Sequence, residues 1–287
     1  MNRFLTYLGA RAIRASMLVD RALSRYDRLR SFLVTCAATD AVLDAYNDLT
    51  YGATRVYDAS APEFRERLFN WEAELIERVF PPAGRVLVGG AGGGREAFEL
   101  VLRGYIVAAF EPSDVLARSM ADRAAASRAL VEVLLGRYQD LPMLRQLGTN
   151  QVVDLTRGAR FDAAILGWSS FSHIRHRQDR IATLRRFAEV TDGPVVASFF
   201  LRHEASKPRH RFSRWAAHLG LRADGDRFTP HIGFFHQSSV DELAAEIAEA
   251  GLVQVAVSYN DSDGYWPWVA VARPDVVASG VIPPTSA

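Results

Sequence analysis

Apolar and polar positions along the chain fall into blocks whose periods predict strands and helices by turns. Val86, Leu87 and Val88 form a short uninterrupted apolar run, as a strand buried on both faces requires. Helical spacing follows at Ala97, Leu100 and Val101, and a second apolar run occupies Ile106 to Phe110. Asp114 to Leu130 reads as a helix, Val131 to Leu135 as a third strand and Phe161 to Gly167 as a fourth. Arg177 to Val190 is a helix turning Ile181, Leu184 and Phe187 inward, and Pro194 to Leu201 is a fifth strand. Val240 to Ala250 is an amphipathic helix ended by Gly251. Val253 to Tyr259 and Trp266 to Ala272 then pair as a hairpin through the turn residues Asn260 to Gly264. Strands alternating with helices predict a mostly parallel sheet covered on both faces, closed by the antiparallel hairpin.

Three segments lie outside this alternation. Residues 1–80 form a helical extension, with Phe4, Leu5, Leu8, Ile13, Met17 and Leu18 at helical spacing and arginines between them. Asp20 and Asp27 dilute its basic face, which favours packing on the domain or on a second subunit over a membrane surface. Glu63 to Phe80 reads as its strongest helix, stopped by Pro81 and Pro82. Residues 202–230 are polar, rich in Arg and His, and form an insertion. Residues 274–287 form a proline-containing tail expected to be poorly ordered, which leaves a core of residues 81–273.

Composition narrows the function classes. The 287 residues are 49% hydrophobic and 23% charged, with a net charge of +1, so nothing global draws the chain to nucleic acid. Cys36 is the only cysteine, which excludes an internal disulfide and a cysteine-based zinc cluster. No His, Asp and Glu cluster has metal-ligand spacing, and no metal is expected. No run approaches the roughly 18 apolar residues of a membrane span, so no stable membrane insertion is expected. The N-terminus lacks the apolar core of a secretory signal, which points to a cytoplasmic enzyme.

The chemistry centres on Gly89 to Gly94, between the first strand and its helix, with Glu111 at the tip of the second strand. Glycines there let a backbone turn tightly and approach a ligand, and Glu111 stands where a carboxylate accepts hydrogen bonds from a ribose diol. By the glycines alone two cofactors remain open. Gly92-x-Gly94-x-x-Ala97 fits a dinucleotide fingerprint, and Gly90-x-Gly92-x-Gly94 fits an S-adenosylmethionine turn equally well.

Segments beyond the glycines carry a resemblance. Arg85 to Ser113 resembles the first motif of class I S-adenosylmethionine-dependent methyltransferases, and Gly136-Arg-Tyr-Gln-Asp-Leu-Pro142 resembles their adenine-side loop. Phe161 to Ile174 resembles their fourth-strand motif, and the closing hairpin matches their antiparallel seventh strand. The resemblance covers residues 84 to 273. It implies a doubly wound, mostly parallel seven-stranded sheet of Rossmann-like type, with S-adenosylmethionine as cofactor. Gly90, Gly92 and Gly94 would face the methionine and ribose, Glu111 would hold the ribose hydroxyls, and Tyr138 and Gln139 would grip the adenine. Trp168 would lie near the sulfonium. Two residues depart from the family pattern: Val88 stands where an acidic residue usually helps hold the methionine ammonium, and Arg137 where an Asp often meets the adenine amine.

The implied reaction is methyl transfer to a small organic molecule, more at oxygen than at nitrogen. Nucleic-acid and glutamine amino-methyltransferases usually carry Asn/Asp-Pro-Pro-Tyr where this chain has Gly167-Trp-Ser-Ser170. A hydroxyl acceptor must lose a proton, and His173, His231 and His236 are the candidate bases near the strand ends. Tyr46, Tyr51 and Tyr57 are candidates to roof the pocket. Arg95 could pair with the methionine carboxylate or stand solvated at the helix start. The departures at Val88 and Arg137 also admit a non-catalytic protein that keeps the fold, and an NAD-binding oxidoreductase is the alternative enzyme. A homodimer through the N-terminal helices is the expected self-association.

Overall fold

A computed structural model describes residues 2–53, 57–62, 64–149, 151–158, 160–202, 215–216, 218–259 and 267–280, with side chains from residue 15 onward. Part of the insertion (203–214 and 217), the hairpin turn (260–266) and the tail from 281 lie outside these residues, as do the side chains of Phe4, Leu5, Leu8 and Ile13.

The chain begins with two helices, α1 (Asn2–Ala37) and α2 (Asp40–Ala53). Thr39 Oγ1 caps the start of α2 by accepting the Val42 N–H. Helix α3 (Asn70–Val79) is shorter than the periodicity from Glu63 predicts. Glu72 folds back to accept the Phe69 N–H, which ends the helix there, while Leu68 is buried as part of the approach to it.

The core then runs β1 (Arg85–Gly89), α4 (Arg95–Leu102), β2 (Ile106–Glu111), α5 (Asp114–Ser127), β3 (Val131–Leu135), β4 (Leu144–Gln146), β5 (Val152–Val153) and β6 (Ala163–Leu166). It continues as α6 (Arg177–Val190), β7 (Val195–Ser198), β8 (Phe200–Leu201), β9 (Asp226–Thr229), β10 (Gly233–Ser238), α7 (Val240–Glu249), β11 (Val253–Ser258), β12 (Trp268–Ala272) and α8 (Pro274–Ala278). The main sheet has the order β11-β12-β7-β6-β1-β2-β3-β4-β5. Its middle, from β7 to β3, is parallel, and β12 joins β7 antiparallel as the hairpin pattern predicts.

Alternate residues of the central strands feed two cores. Val86, Val88, Val107 and Ile165 pack with Trp71, Leu75 and Ile76 of α3 and with α4 and α5. Leu87, Ala108, Phe110 and Leu166 pack on the other face with Ile181, Leu184 and Phe187 of α6 and with α7. Apolar residues at both parities explain why these strands read as continuous runs.

The structure departs from the expected sheet in three places. Two short antiparallel strands, β4 and β5, extend the predicted seven to nine, in a stretch without period-2 patterning. The predicted fifth strand divides at Phe199: β7 stays in the main sheet, and β8 joins β9 and β10 in a separate three-stranded sheet that includes part of the insertion. The start of the tail is helical, because Pro274 begins α8 and Val276 is buried.

Candidate active site

The order of the strands reverses between β1 and β6, and the turns after these strands meet there. Such a crevice outside the carboxyl ends of parallel strands is where open α/β sheets bind ligands. It holds a cavity of about 460 Å³, roofed by α2 and the segment around Tyr57.

The floor is the glycine turn. Gly90 has φ +62°, and a Cβ there would stand 2.6 Å from Tyr138 Oη and 2.7 Å from Ser170 Cβ. Gly92 has φ +56°, and the space beside it is open as far as Tyr57 Cβ, 4.0 Å from where its own Cβ would stand. Gly90 is thus needed for packing, and Gly92 leaves room for a ligand between two cavity-lining residues. Gly94 lies below the cavity as the left-handed N-cap of α4, against Met120 and Phe98, and does not line it.

Glu111 sits at the end of β2, 6% exposed. Its Oε2 accepts the Gly92 N–H at 2.8 Å and its Oε1 the Ser113 N–H at 3.0 Å, so each oxygen keeps lone-pair capacity. Burial disfavours the carboxylate and outweighs these two bonds, pushing its pKa up to about 7. Tyr138, Gln139 and Trp168 line the cavity as well. Tyr138 is a strut under it: its hydroxyl donates to Gly89 O at 3.0 Å and meets Ser170 Oγ, joining the β1 turn to the β6 turn.

The β6 turn is strained at Ser169, a non-glycine residue with φ +56°. Its N–H donates to Ser198 Oγ at 2.8 Å, and its own buried hydroxyl has no partner. Trp168 N–H donates to Glu96 Oε1 at 3.1 Å, and the Trp168 ring lies 4.3 Å from the Arg95 guanidinium. Arg95 is not solvated, although it lines the cavity. It is 3% exposed, forms two bonds to Glu72 at 2.7 and 2.9 Å and one to Glu96 at 2.8 Å. One guanidinium against two carboxylates gives this cluster a formal charge of −1 beside the cavity.

Both departures from the family pattern have structural explanations. Val88 is buried in the core with α3 and does not line the cavity, whereas Glu96 does. Arg137 reaches across the cavity mouth to Asp44 at 2.5 Å and Asp48 at 3.7 Å, tying the β3 turn to the roof. Glu96 and the aspartates of α2 were not singled out by sequence. The spacing of Asp40, Asp44 and Asp48, one helical turn apart, is the signal that marks one face of α2.

Only one of the three candidate histidines joins the site. His173 lines the cavity, with Nδ1 2.6 Å from Phe234 O and Nε2 2.6 Å from Tyr51 Oη. Withdrawal from water lowers its pKa to about 4, so it is neutral at pH 7. His231 is exposed on the β9–β10 turn. His236 is fully buried elsewhere, between Asp226 and Glu242 at 2.9 Å each. Of the tyrosines, Tyr51 and Tyr57 line the cavity, while Tyr46 packs on Phe228 and donates to Pro230 O.

Among the described residues no group of His, Cys, Asp and Glu could hold a metal ion, and no helix is long and apolar enough to cross a membrane. No family model matches the chain, and no curated protein matches it. Solved structures do. The CcbJ methyltransferase from Streptomyces caelestis is similar with a TM-score of 0.55 at 18% identity, over 79% of this chain and 99% of that one. The PH0226 protein from Pyrococcus horikoshii OT3 gives a TM-score of 0.55 at 16% identity, over 78% and 97%. Together with the strand order, these likenesses establish a Rossmann-like methyltransferase fold.

Proposed function

We propose that this chain, which carries the methyltransferase fold, transfers the methyl group of S-adenosylmethionine to a small organic molecule, at oxygen more than at nitrogen. The observation that carries the reading is the pairing of Gly92 with Glu111 on the cavity floor: an open glycine beside a buried carboxylate with lone pairs to spare. Glu111 would hold the ribose hydroxyls, Gly90 to Gly92 the methionine portion, and Tyr138 and Gln139 the adenine side. Glu96 and the net charge of its cluster favour a cation near Trp168, which suits both the ammonium and the sulfonium. When bound, S-adenosylmethionine supplies a methyl already activated on sulfur. Its transfer to a hydroxyl forms one C–O bond, leaves the S–C electron pair on sulfur and releases one proton to water. The protein's task is then alignment and exclusion of competing water.

The preference for a small acceptor rests on the cavity volume of about 460 Å³ and on Gly167-Trp-Ser-Ser170 in place of an Asn/Asp-Pro-Pro-Tyr turn. Calorimetric titration with S-adenosylhomocysteine and, separately, with NAD tests the cofactor. Saturable binding of S-adenosylhomocysteine without NAD is expected; saturable NAD binding alone would overturn the reading.

We also propose that the protein works in the cytoplasm as a homodimer joined along α1. Val19, Tyr26, Leu29 and Leu33 are each more than half exposed, and with Ala22 they recur at alternating spacings of three and four. Sedimentation equilibrium should give twice the chain mass, and the chain mass alone for Leu29→Asp.

A further inference from the structure

Strand β10 has an open edge at the site. Its neighbour β8 pairs only with Gln237 and Ser238, leaving residues 232 to 236 without a strand on that side. Side chains cover the gap. Asn47 Oδ1 accepts the Phe234 N–H at 3.4 Å, His173 Nδ1 meets Phe234 O at 2.6 Å, and Tyr51 Oη donates to Ile232 O at 3.2 Å.

These contacts use up the hydrogens of His173 and Tyr51 within the protein. A carbonyl oxygen can only accept, so the proton of His173 must sit on Nδ1, toward Phe234. The ring is neutral, and its Nε2 therefore presents a lone pair to Tyr51 Oη at 2.6 Å. Tyr51 has one hydroxyl hydrogen for two acceptors of the protein, Nε2 at 2.6 Å and Ile232 O at 3.2 Å, so whichever takes it none is left for a ligand. Burial raises the Tyr51 pKa, so the phenol keeps this hydrogen. What remains on Tyr51 Oη is acceptor capacity only, at the wall of the cavity. Around it the cavity wall mixes apolar residues, Leu43, Ile174, Phe200, Ile232 and Phe234, with polar ones such as Asn47, Asp44 and Arg175.

We infer that Tyr51 Oη accepts a hydrogen bond from the O–H or N–H of the methyl acceptor, which is therefore a neutral hydroxyl or amine; a carboxylate, an ether or a fully substituted nitrogen is refused. Tyr51 is the residue that touches the acceptor, and His173 is a positioning residue that acts through it. This rests on the methyltransferase reading and adds the chemical class of the second substrate. Refusal follows because a group with no hydrogen places its lone pairs against those of Tyr51 with no donor between them.

The test uses the whole protein saturated with S-adenosylhomocysteine and titrated by calorimetry with 2-naphthol, 2-naphthylamine, 2-methoxynaphthalene and 2-naphthoate. The first two should bind about tenfold or more tightly than the last two, in keeping with one directional hydrogen bond. In Tyr51→Phe the four affinities should fall within about twofold of one another, with S-adenosylhomocysteine affinity unchanged. Tyr46→Phe, outside the cavity, should keep the wild-type preference. No preference in the wild type, including no measurable binding of any of the four, or a preference that survives Tyr51→Phe, would overturn the inference. Absence of S-adenosylhomocysteine binding would instead remove the methyltransferase reading beneath it.

Discussion

Glu111 makes the cofactor reading quantitative, because its ionisation and its proposed task are coupled. Ribose hydroxyls donate to a carboxylate more strongly than to a neutral acid, and Glu111 ionises only near pH 7. The ligand's own α-amino and carboxyl groups keep their charge between pH 5 and about 7. Affinity for S-adenosylhomocysteine should therefore rise with pH up to about 7 and level off above it. At pH 5 about one molecule in a hundred carries an ionised Glu111, so binding should be weaker by up to about 100-fold, or 2.7 kcal/mol. Glu111→Gln keeps the shape, lacks the charge and should lose about 1.5–3 kcal/mol of affinity at pH 8 together with the pH dependence. Stability has the opposite sign. A carboxylic acid whose folded pKa is raised loses stability as pH rises from its unfolded value of 4.5 through 7. The apo wild type should thus lose up to about 3.4 kcal/mol more than Glu111→Gln over that interval. Isothermal titration at pH 5, 6, 7 and 8, with urea unfolding of both proteins, measures both effects. A wild-type affinity independent of pH, or a variant with the same slope, would refute the assignment of Glu111.

Two further perturbations probe the surroundings. Gly93→Ala would set a Cβ against the Tyr57 carbonyl and 2.7 Å from Ala59 N, so it should push the Tyr57 segment outward and weaken S-adenosylhomocysteine binding at least tenfold, read by calorimetry. Burial alone would lower the His236 pKa, but its bonds to Asp226 and Glu242 outweigh this and raise it, while Glu242 falls to about 2. That stabilisation is present below pH 6.5 and lost as pH rises through the folded value. His236→Gln should therefore lower the melting temperature more at pH 6 than at pH 9, and an equal loss at both would count against a charged His236.

Much of the fold was legible because the central strands are buried on both faces. Their unbroken apolar runs separate cleanly from helices such as Arg177 to Val190, whose bounds the periodicity places to the residue. The floor of the site was legible for a related reason: glycines and an acid at strand ends are local features. What escaped were arrangements made by distant segments. Phe199 gives no local sign that the next two residues change sheets, and β4 and β5 are too short to show a period. Arg95 read equally as a partner of the methionine carboxylate or a solvated helix start, and neither reading shows that Glu72, from a helix before β1, closes on it. Tyr51 and His173 stand 122 positions apart, and neither shows in sequence that the carbonyls of β10 fix their hydrogens.

The most direct test of the central claim is a crystal structure of the protein grown with S-adenosylhomocysteine. The account predicts the ligand in the crevice between β1 and β6, with both ribose hydroxyl oxygens within about 3.2 Å of the Glu111 carboxylate. Its amino-acid portion should run along Gly90 to Gly92 toward Glu96. A ligand bound elsewhere, or one whose ribose makes no hydrogen bond to Glu111, would contradict it.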